Sequence, residues 1–478
     1  MRRSGILLPI FSLCGPYGIG TLGHEAYNFV DFLKSSGQAY WQILPLNPTA
    51  YGNSPYQSPC VFAGNPYFIS PDFLIRDSLL KEEDAACLKT ENNERINYSE
   101  IYKTRLKILK KAANNISDTD RELLKFESEN SFWLNDYATF SALKELNNMS
   151  SHEKWKIKEL SPVQQKSEEK LHRKIQFLFF SQWLALKKYA NAKGVHIIGD
   201  LPIYPSKDSS DYYFNKNLYL KNVVAACPPD EFNSKGQLWG NPIYNWQAME
   251  NDGFSWWKER LKQASKIFDT IRIDHFRGIY EYYSVKADSL NAVQGQWDKG
   301  AGMKFVNMIK ESFPHLEVIA EDLGFLNHEV KDFFARSGFP GMKILQFAFD
   351  GSDSEYLPHN YTKACVAYTG THDNPTVMQW LQRAKESEII NAMNYLGAPN
   401  RYALCESCIR AVMASVSDLS IISLQDWLHL GAEARINTPG TLENNWCWRI
   451  NENALSNNLT EKILHYTKTY KRAKEQTQ

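Results

Sequence analysis

The chain has 478 residues, enough for two or three domains or for one barrel with insertions. Lys+Arg and Asp+Glu both number 54, so the formal charge is zero; no long run of like charge appears, which disfavours nucleic acid and anionic membrane surfaces as main partners. Aromatic residues reach 13 %, and several stand beside Gly, Asn and Pro in loop-like contexts, a composition suited to flat, weakly polar ligands such as sugars.

Residues 5–11 read as a first buried strand. The preceding Met1-Arg-Arg3 gives this stretch the outline of a secretory signal, but the apolar run is short, contains Pro9 and lacks a cleavage site. No stretch reaches the ~18 apolar residues of a membrane span. A Gly-rich loop follows, then helical spacing over 25–36 and a second strand over 39–44, which together make a parallel βαβ unit. Gly18-Ile-Gly-Thr-Leu-Gly23 matches a dinucleotide-binding pattern, so a doubly wound sheet is the competing fold. The loop starts too far after its strand, however, and no acidic residue occurs over 37–50 to hold a ribose, so a plain turn is expected.

The loop 49–71 carries Tyr51, Tyr56 and Tyr67 among Gly, Asn and Pro, which marks it as functional. Residues 72–192 turn polar and Lys/Glu-rich with few Gly and read as a helical insertion outside the main core. Strand patterns resume over 195–204, 269–274, 316–324, 342–349, 365–373 and 419–426. Helical segments at 255–266, 302–312, 328–336, 375–386 and 402–415 separate most of them. About eight strands alternating with helices, with polar and acidic residues at the strand ends, predict a single (β/α)8 TIM barrel over 1–478 with helical and loop insertions, the second insertion being an active-site loop at 205–250.

Eight cysteines are scattered along the chain, and Cys405-Glu-Ser-Cys408 is the lone Cys-x-x-Cys, in a helical run with no second pair at zinc spacing. Reduced thiols in a chain of this size fit the cytoplasm.

The chemistry centres on Asp269-Thr-Ile-Arg-Ile-Asp-His-Phe-Arg-Gly278. Ile271 and Ile273 alternate with Arg272 and Asp274, so one strand face is apolar and the other pairs a cation with a carboxylate. Taken alone this is a structural ion pair. Glu321 and Asp373 also close strands, each about 50 residues further on, so the three carboxylates can meet above one barrel mouth. Two carboxylates flanking a bond define retaining glycoside chemistry and stand ~5–5.5 Å apart. Arg272 is placed to keep an attacking Asp274 ionised, and nearby negative charge would raise the proton affinity of Glu321. Asp373 can hold sugar hydroxyls and favour a cationic transition state, and His275 and His372 can donate hydrogen bonds. A metal site of Asp and His competes, but no His-x-His or His-Glu-x-x-His occurs, so no metal and no cofactor are expected.

These residues resemble the 4-α-glucanotransferases called amylomaltase or disproportionating enzyme, in the α-amylase superfamily. The resemblance runs nearly end to end: 7–23, 51–67, Gly199-Asp-Leu-Pro-Ile203, 227–246 with Gln237-Leu-Trp-Gly-Asn-Pro242, 272–278, Glu321-Asp-Leu-Gly324, 341–349, Gly370-Thr-His-Asp-Asn374 and 433–449. It implies Asp274 as nucleophile, Glu321 as acid/base and Asp373 as transition-state stabiliser. It further implies that Asp200, Arg272, His275 and His372 bind the sugar beside the cleaved bond, and that Tyr56, Trp239 and Asn445 line neighbouring subsites. Ala225-Ala-Cys227, Pro205-Ser-Lys207 and Gln379 depart from the family pattern without touching the carboxylates. The expected activity is transfer of α-1,4-glucan segments to the 4-hydroxyl of a second glucan or of glucose, with α-1,4-glucan hydrolysis and non-catalytic glucan binding as the alternatives.

Overall fold

The structure, a computed structural model, describes residues 2–90, 94–229, 233–324 and 326–473. Met1 and residues 230–232 of the 205–250 insertion lie outside the described residues, as does the Tyr51 side chain.

Eight parallel strands form the core: β1 (Arg3–Leu7), β2 (Tyr40–Gln42), β3 (His196–Leu201), β4 (Thr270–Ile273), β5 (Glu317–Ala320), β6 (Gly341–Ile344), β7 (Cys365–Tyr368) and β8 (Leu419–Ser423). Regular ladders join β6-β7-β8-β1-β2-β3-β4-β5 in that order. The remaining seam, β5 to β6, closes through Ala320 N donating to Pro340 O (3.0 Å) and Met342 N donating to the Asp322 carboxylate (2.7 Å). Asp322 therefore replaces a strand rung. A Cβ on Gly341 would stand 2.1 Å from its Oδ2, so this position has no room for a side chain.

Strand alternation sorts side chains to the two faces as the sequence pattern requires. Leu7, Ile198, Ile319, Met342, Ile344, Val366, Tyr368 and Ile421 fill the barrel interior. Their neighbours Ile6, Ile197, Ile271, Ile273, Val318 and Ile422 face outward into the larger core beneath the helices. On β4 this leaves Arg272 inward, in register with Asp200 of β3. Tyr368, the last residue of β7, donates to Gln42 Oε1 (3.0 Å) at the end of β2, so the interior becomes polar toward the strand ends.

The observed strands stop several residues before their expected ends. Met342–Ile344 turns into a 3-10 segment, Leu345–Phe347, and Leu419–Ser423 into a short helix, Leu424–Trp427. Beyond the last ladder bond the chain must splay to build loops, so apolar pattern and strand part company there. The first apolar run is barrel strand β1 followed by the 3-10 segment Ile10–Ser12. The Gly18–Gly23 stretch is a loop folded onto that segment; a Cβ on Gly20 would meet Ile10 O at 1.8 Å.

Helices fill most of residues 71–192. The last, Lys170–Ala192, packs directly on the barrel: Trp183 is fully buried and donates to Ile267 O (3.0 Å). A four-stranded antiparallel sheet was not anticipated. It joins Gln237–Leu238, Val223–Cys227, Glu281–Lys286 and Gly295–Lys299, which come from the excursions after β3 and β4. Among the described residues no helix is long and apolar enough to cross a membrane.

Candidate active site

Arg272 is the hub. It is 3 % exposed at the top of the barrel interior, and its Nη1 lies 2.6 Å from both oxygens of Asp200. Its Nη2 reaches Asp274 (3.0 Å) and Glu321 (3.1 Å). One guanidinium thus faces three carboxylates, and the positive charge at the centre of the cluster belongs to the protein itself. Ladder bonding carries one residue past the strands, Asp274 N to Leu201 O (3.0 Å) and Glu321 N to Ile273 O (3.2 Å), which fixes both backbones at the rim.

His275 follows with φ 47°, a left-handed conformation that L-residues with a Cβ adopt at a cost. That turn aims its backbone N–H at Glu321 Oε2 (2.5 Å). Burial holds the His275 ring down to about 4, so it is neutral at pH 7. Its edge meets the Trp239 ring at 4.9 Å and 86°.

Asp274 and Glu321 sit side by side on Arg272 Nη2, at 3.0 and 3.1 Å, and each charge acts on the other. Burial and the Glu321 charge push Asp274 well above the usual carboxylate range, against the pull of Arg272. Burial also works to raise Glu321, but Arg272 and the His275 N–H outweigh it and hold Glu321 below 4.5. The two shifts run opposite to those expected: Arg272 is shared three ways, and Glu321 has the added His275 N–H donor.

Tyr56 links the second half of the site. Burial and the Asp200 charge raise its phenol well above 10, so it stays a donor, and it gives its proton to Asp200 Oδ2 (2.7 Å). Its oxygen then accepts from His372 Nε2 (2.9 Å), beneath stacked rings 5.4 Å apart at 14°. His372 Nε2 lies 3.4 Å from Asp373 Oδ2. A continuous path thus runs from Asp373 through His372, Tyr56 and Asp200 to Arg272. The Tyr56 loop is itself held by buried Asp211, which accepts from Val61 N (2.9 Å) and which burial pushes up to about 7.

Eight of the ten expected residues join this network, and Trp239 touches it through His275. Asn445 does not reach it directly: its amide accepts from Thr438 N (2.9 Å) and donates to Thr441 O (2.8 Å), bracing the 438–441 turn. Tyr67 is buried against Tyr102 of the helical region rather than lining the rim. Sequence reading missed Trp446, whose ring flanks Tyr56 (5.8 Å) and His372 (6.0 Å), and Asn437, which donates to Asp373 Oδ1 (2.6 Å). The turn signal Asn437-Thr-Pro-Gly440 marks that loop, but nothing local says which carboxylate it faces. All eight cysteines are free thiols.

A 4-alpha-glucanotransferase family model matches residues 8–455. The 4-alpha-glucanotransferase of Clostridium butyricum is 47 % identical over 97 % of this chain and 99 % of its own. The structure of the amylomaltase from Streptococcus agalactiae in complex with acarbose superposes with TM-score 0.95 at 36 % identity, over 99 % of this chain and 100 % of the other. An Anoxybacillus alpha-amylase shares the barrel fold alone (TM-score 0.51, 9 % identity, 98 % and 78 % of the two chains). The full-length match and the carboxylate cluster agree: the chain belongs to the 4-α-glucanotransferase family of glycosyl-transferring enzymes.

Proposed function

We propose that this enzyme disproportionates α-1,4-glucans by double displacement, with Asp274 as nucleophile and Glu321 as acid/base. The observation that carries the reading is the placement of both carboxylates on Arg272 Nη2, Asp274 at 3.0 Å and Glu321 at 3.1 Å. In the productive complex Glu321 carries the proton and Asp274 is ionised beside Arg272. An Asp274 oxygen bonds the anomeric carbon, the C1–O4 bond breaks, and Glu321 protonates the departing 4-oxygen. An acceptor 4-hydroxyl, on a second glucan or on glucose, then gives its proton to Glu321 and attacks C1, releasing Asp274. Asp373 takes sugar hydroxyls and favours the oxocarbenium-like transition state, while Asp200, His372 and neutral His275 bind the same sugar. Trp239 and Tyr56 offer flanking ring surfaces, and the Asn445-braced turn borders them. No cofactor enters this scheme. Eight free thiols support a cytoplasmic setting.

Incubation with maltotriose tests the reading. A ladder of longer oligomers plus glucose is expected; products no longer than maltotriose would refute transfer and leave hydrolysis.

A further inference from the structure

Asp373 differs from the other two carboxylates in being half open, with 44 % of its side chain exposed. The segment bearing it braces itself: Thr371 N and Oγ1 both donate to Asn374 Oδ1 (2.9 Å each), and Asp373 N donates to Thr371 Oγ1 (3.4 Å). Those bonds hold the backbone and leave the carboxyl free to rotate. Among the described residues, the close hydrogen bond to the carboxyl itself comes from Asn437, at 2.6 Å on Oδ1. An ionised carboxylate only accepts, so the Asn437 amide is oriented with its Nδ2 toward Asp373. Asn437 is itself clamped: its backbone N–H donates to His372 O (3.1 Å), and its carbonyl accepts from Arg435 Nε (2.7 Å). Arg435 Nη2 donates to the Asp373 carbonyl (2.9 Å), so one arginine ties both partners together.

We propose that Asn437 is a positioning residue for Asp373: its amide fixes the carboxyl rotamer, occupies Oδ1 and leaves Oδ2 as the oxygen presented to sugar hydroxyls. Nothing in the residue's own chemistry touches the reacting atoms. Its contribution is to remove rotation from a solvent-facing group whose placement must be correct in the transition state. The inference rests on the transferase reading above.

The test exploits what a donor can do that a filler cannot. Asn437→Asp is isosteric but donates only while it carries a proton. A carboxyl pair facing each other shares one proton at low pH and loses it as pH rises. The other charged and titratable groups around the pair are His372, Arg435 with Arg383 behind it, and Tyr56 through His372. These are common to parent and variant and cancel in the ratio of the two. The ratio of kcat for Asn437→Asp to kcat for the parent, measured with maltotriose, should lie within about threefold of one at pH 5 and fall at least ~10-fold further by pH 8. Asn437→Ala should lower kcat ~10–100-fold with KM changed less than about threefold. A pH-flat ratio, or an Asn437→Ala variant with kcat within twofold of the parent, overturns the role. If Asn437→Ala does not fold, the Asn437→Asp ratio decides alone. The parent run beside them separates the two readings: no ladder from the parent overturns the transferase assignment, whereas a normal parent with a flat ratio overturns only Asn437.

Discussion

Replacing Arg272 by Met keeps most of the side-chain volume and removes the cation that three carboxylates share. Asp200 is 1 % exposed, Glu321 18 % and Asp274 25 %, so none can be solvated well in the variant. Removing one partner of a buried ion pair costs ~3–5 kcal/mol. A chain of 478 residues unfolds with ~2.1 cal/mol/K per residue, about 1 kcal/mol/K in all, so the melting temperature should fall by roughly 3–5 °C at pH 7.5. The pH dependence gives the sign. Arg272 holds Glu321 low in the folded protein, so this stabilisation is present above the unfolded value of ~4.3 and is lost as pH falls through the folded value. The gap between parent and variant should therefore be widest at pH 7.5 and should narrow toward and below pH 4.5. Scanning calorimetry at both ends, with transfer activity followed at pH 7, checks both claims. A gap that is equal at the two ends, or that widens on acidification, would refute the shared-cation account.

Glu321→Gln should lose at least ~10³-fold in kcat on maltotriose yet form the glucosyl-enzyme from an α-glucosyl fluoride, whose leaving group needs no proton; equal losses on both donors would count against Glu321 as the acid. Asp274→Asn should abolish turnover and keep glucan affinity within a few-fold by calorimetry, and loss of binding would instead mark Asp274 as a ligand. On the proposed mechanism the pair works with one proton, so kcat/KM against pH should be bell-shaped: activity falls on the acid side as Glu321, held low, gains a second proton, and on the alkaline side as Asp274, raised by burial, loses the last one. A profile with one limb would sink the single-proton pair. Gly341→Ala drives a Cβ against Asp322 and should cost ~1–3 kcal/mol, seen as a melting point lower by about 1–3 °C and a weakened β5–β6 seam in hydrogen exchange at Met342.

Chain order and alternation settled much of this protein in advance. Apolar periodicity is a local property, so eight strands, their intervening helices and the inward placement of Arg272 were legible from residues a few positions apart. The match to family motifs likewise pointed to ten side chains, three of them carboxylates, and nine of these ten stand together in the structure. Other questions depended on distances between residues remote in sequence. Arg272 lies closest to Asp200 of the neighbouring strand, not to Asp274 two residues on, because register places Asp200 beside it. Glu321 is held lower than Asp274, because the left-handed His275 turn directs a backbone N–H to Glu321. Asp322, adjacent to the proposed acid/base, serves as a rung in the barrel seam. Asn445 braces a turn while Asn437, eight residues earlier, holds Asp373. Sequence by itself determined which side chains could do the chemistry; tertiary structure decided their partners and electrostatic surroundings, since electrostatic and hydrogen-bond energies vary over a few ångströms and no pattern along the chain encodes that spacing.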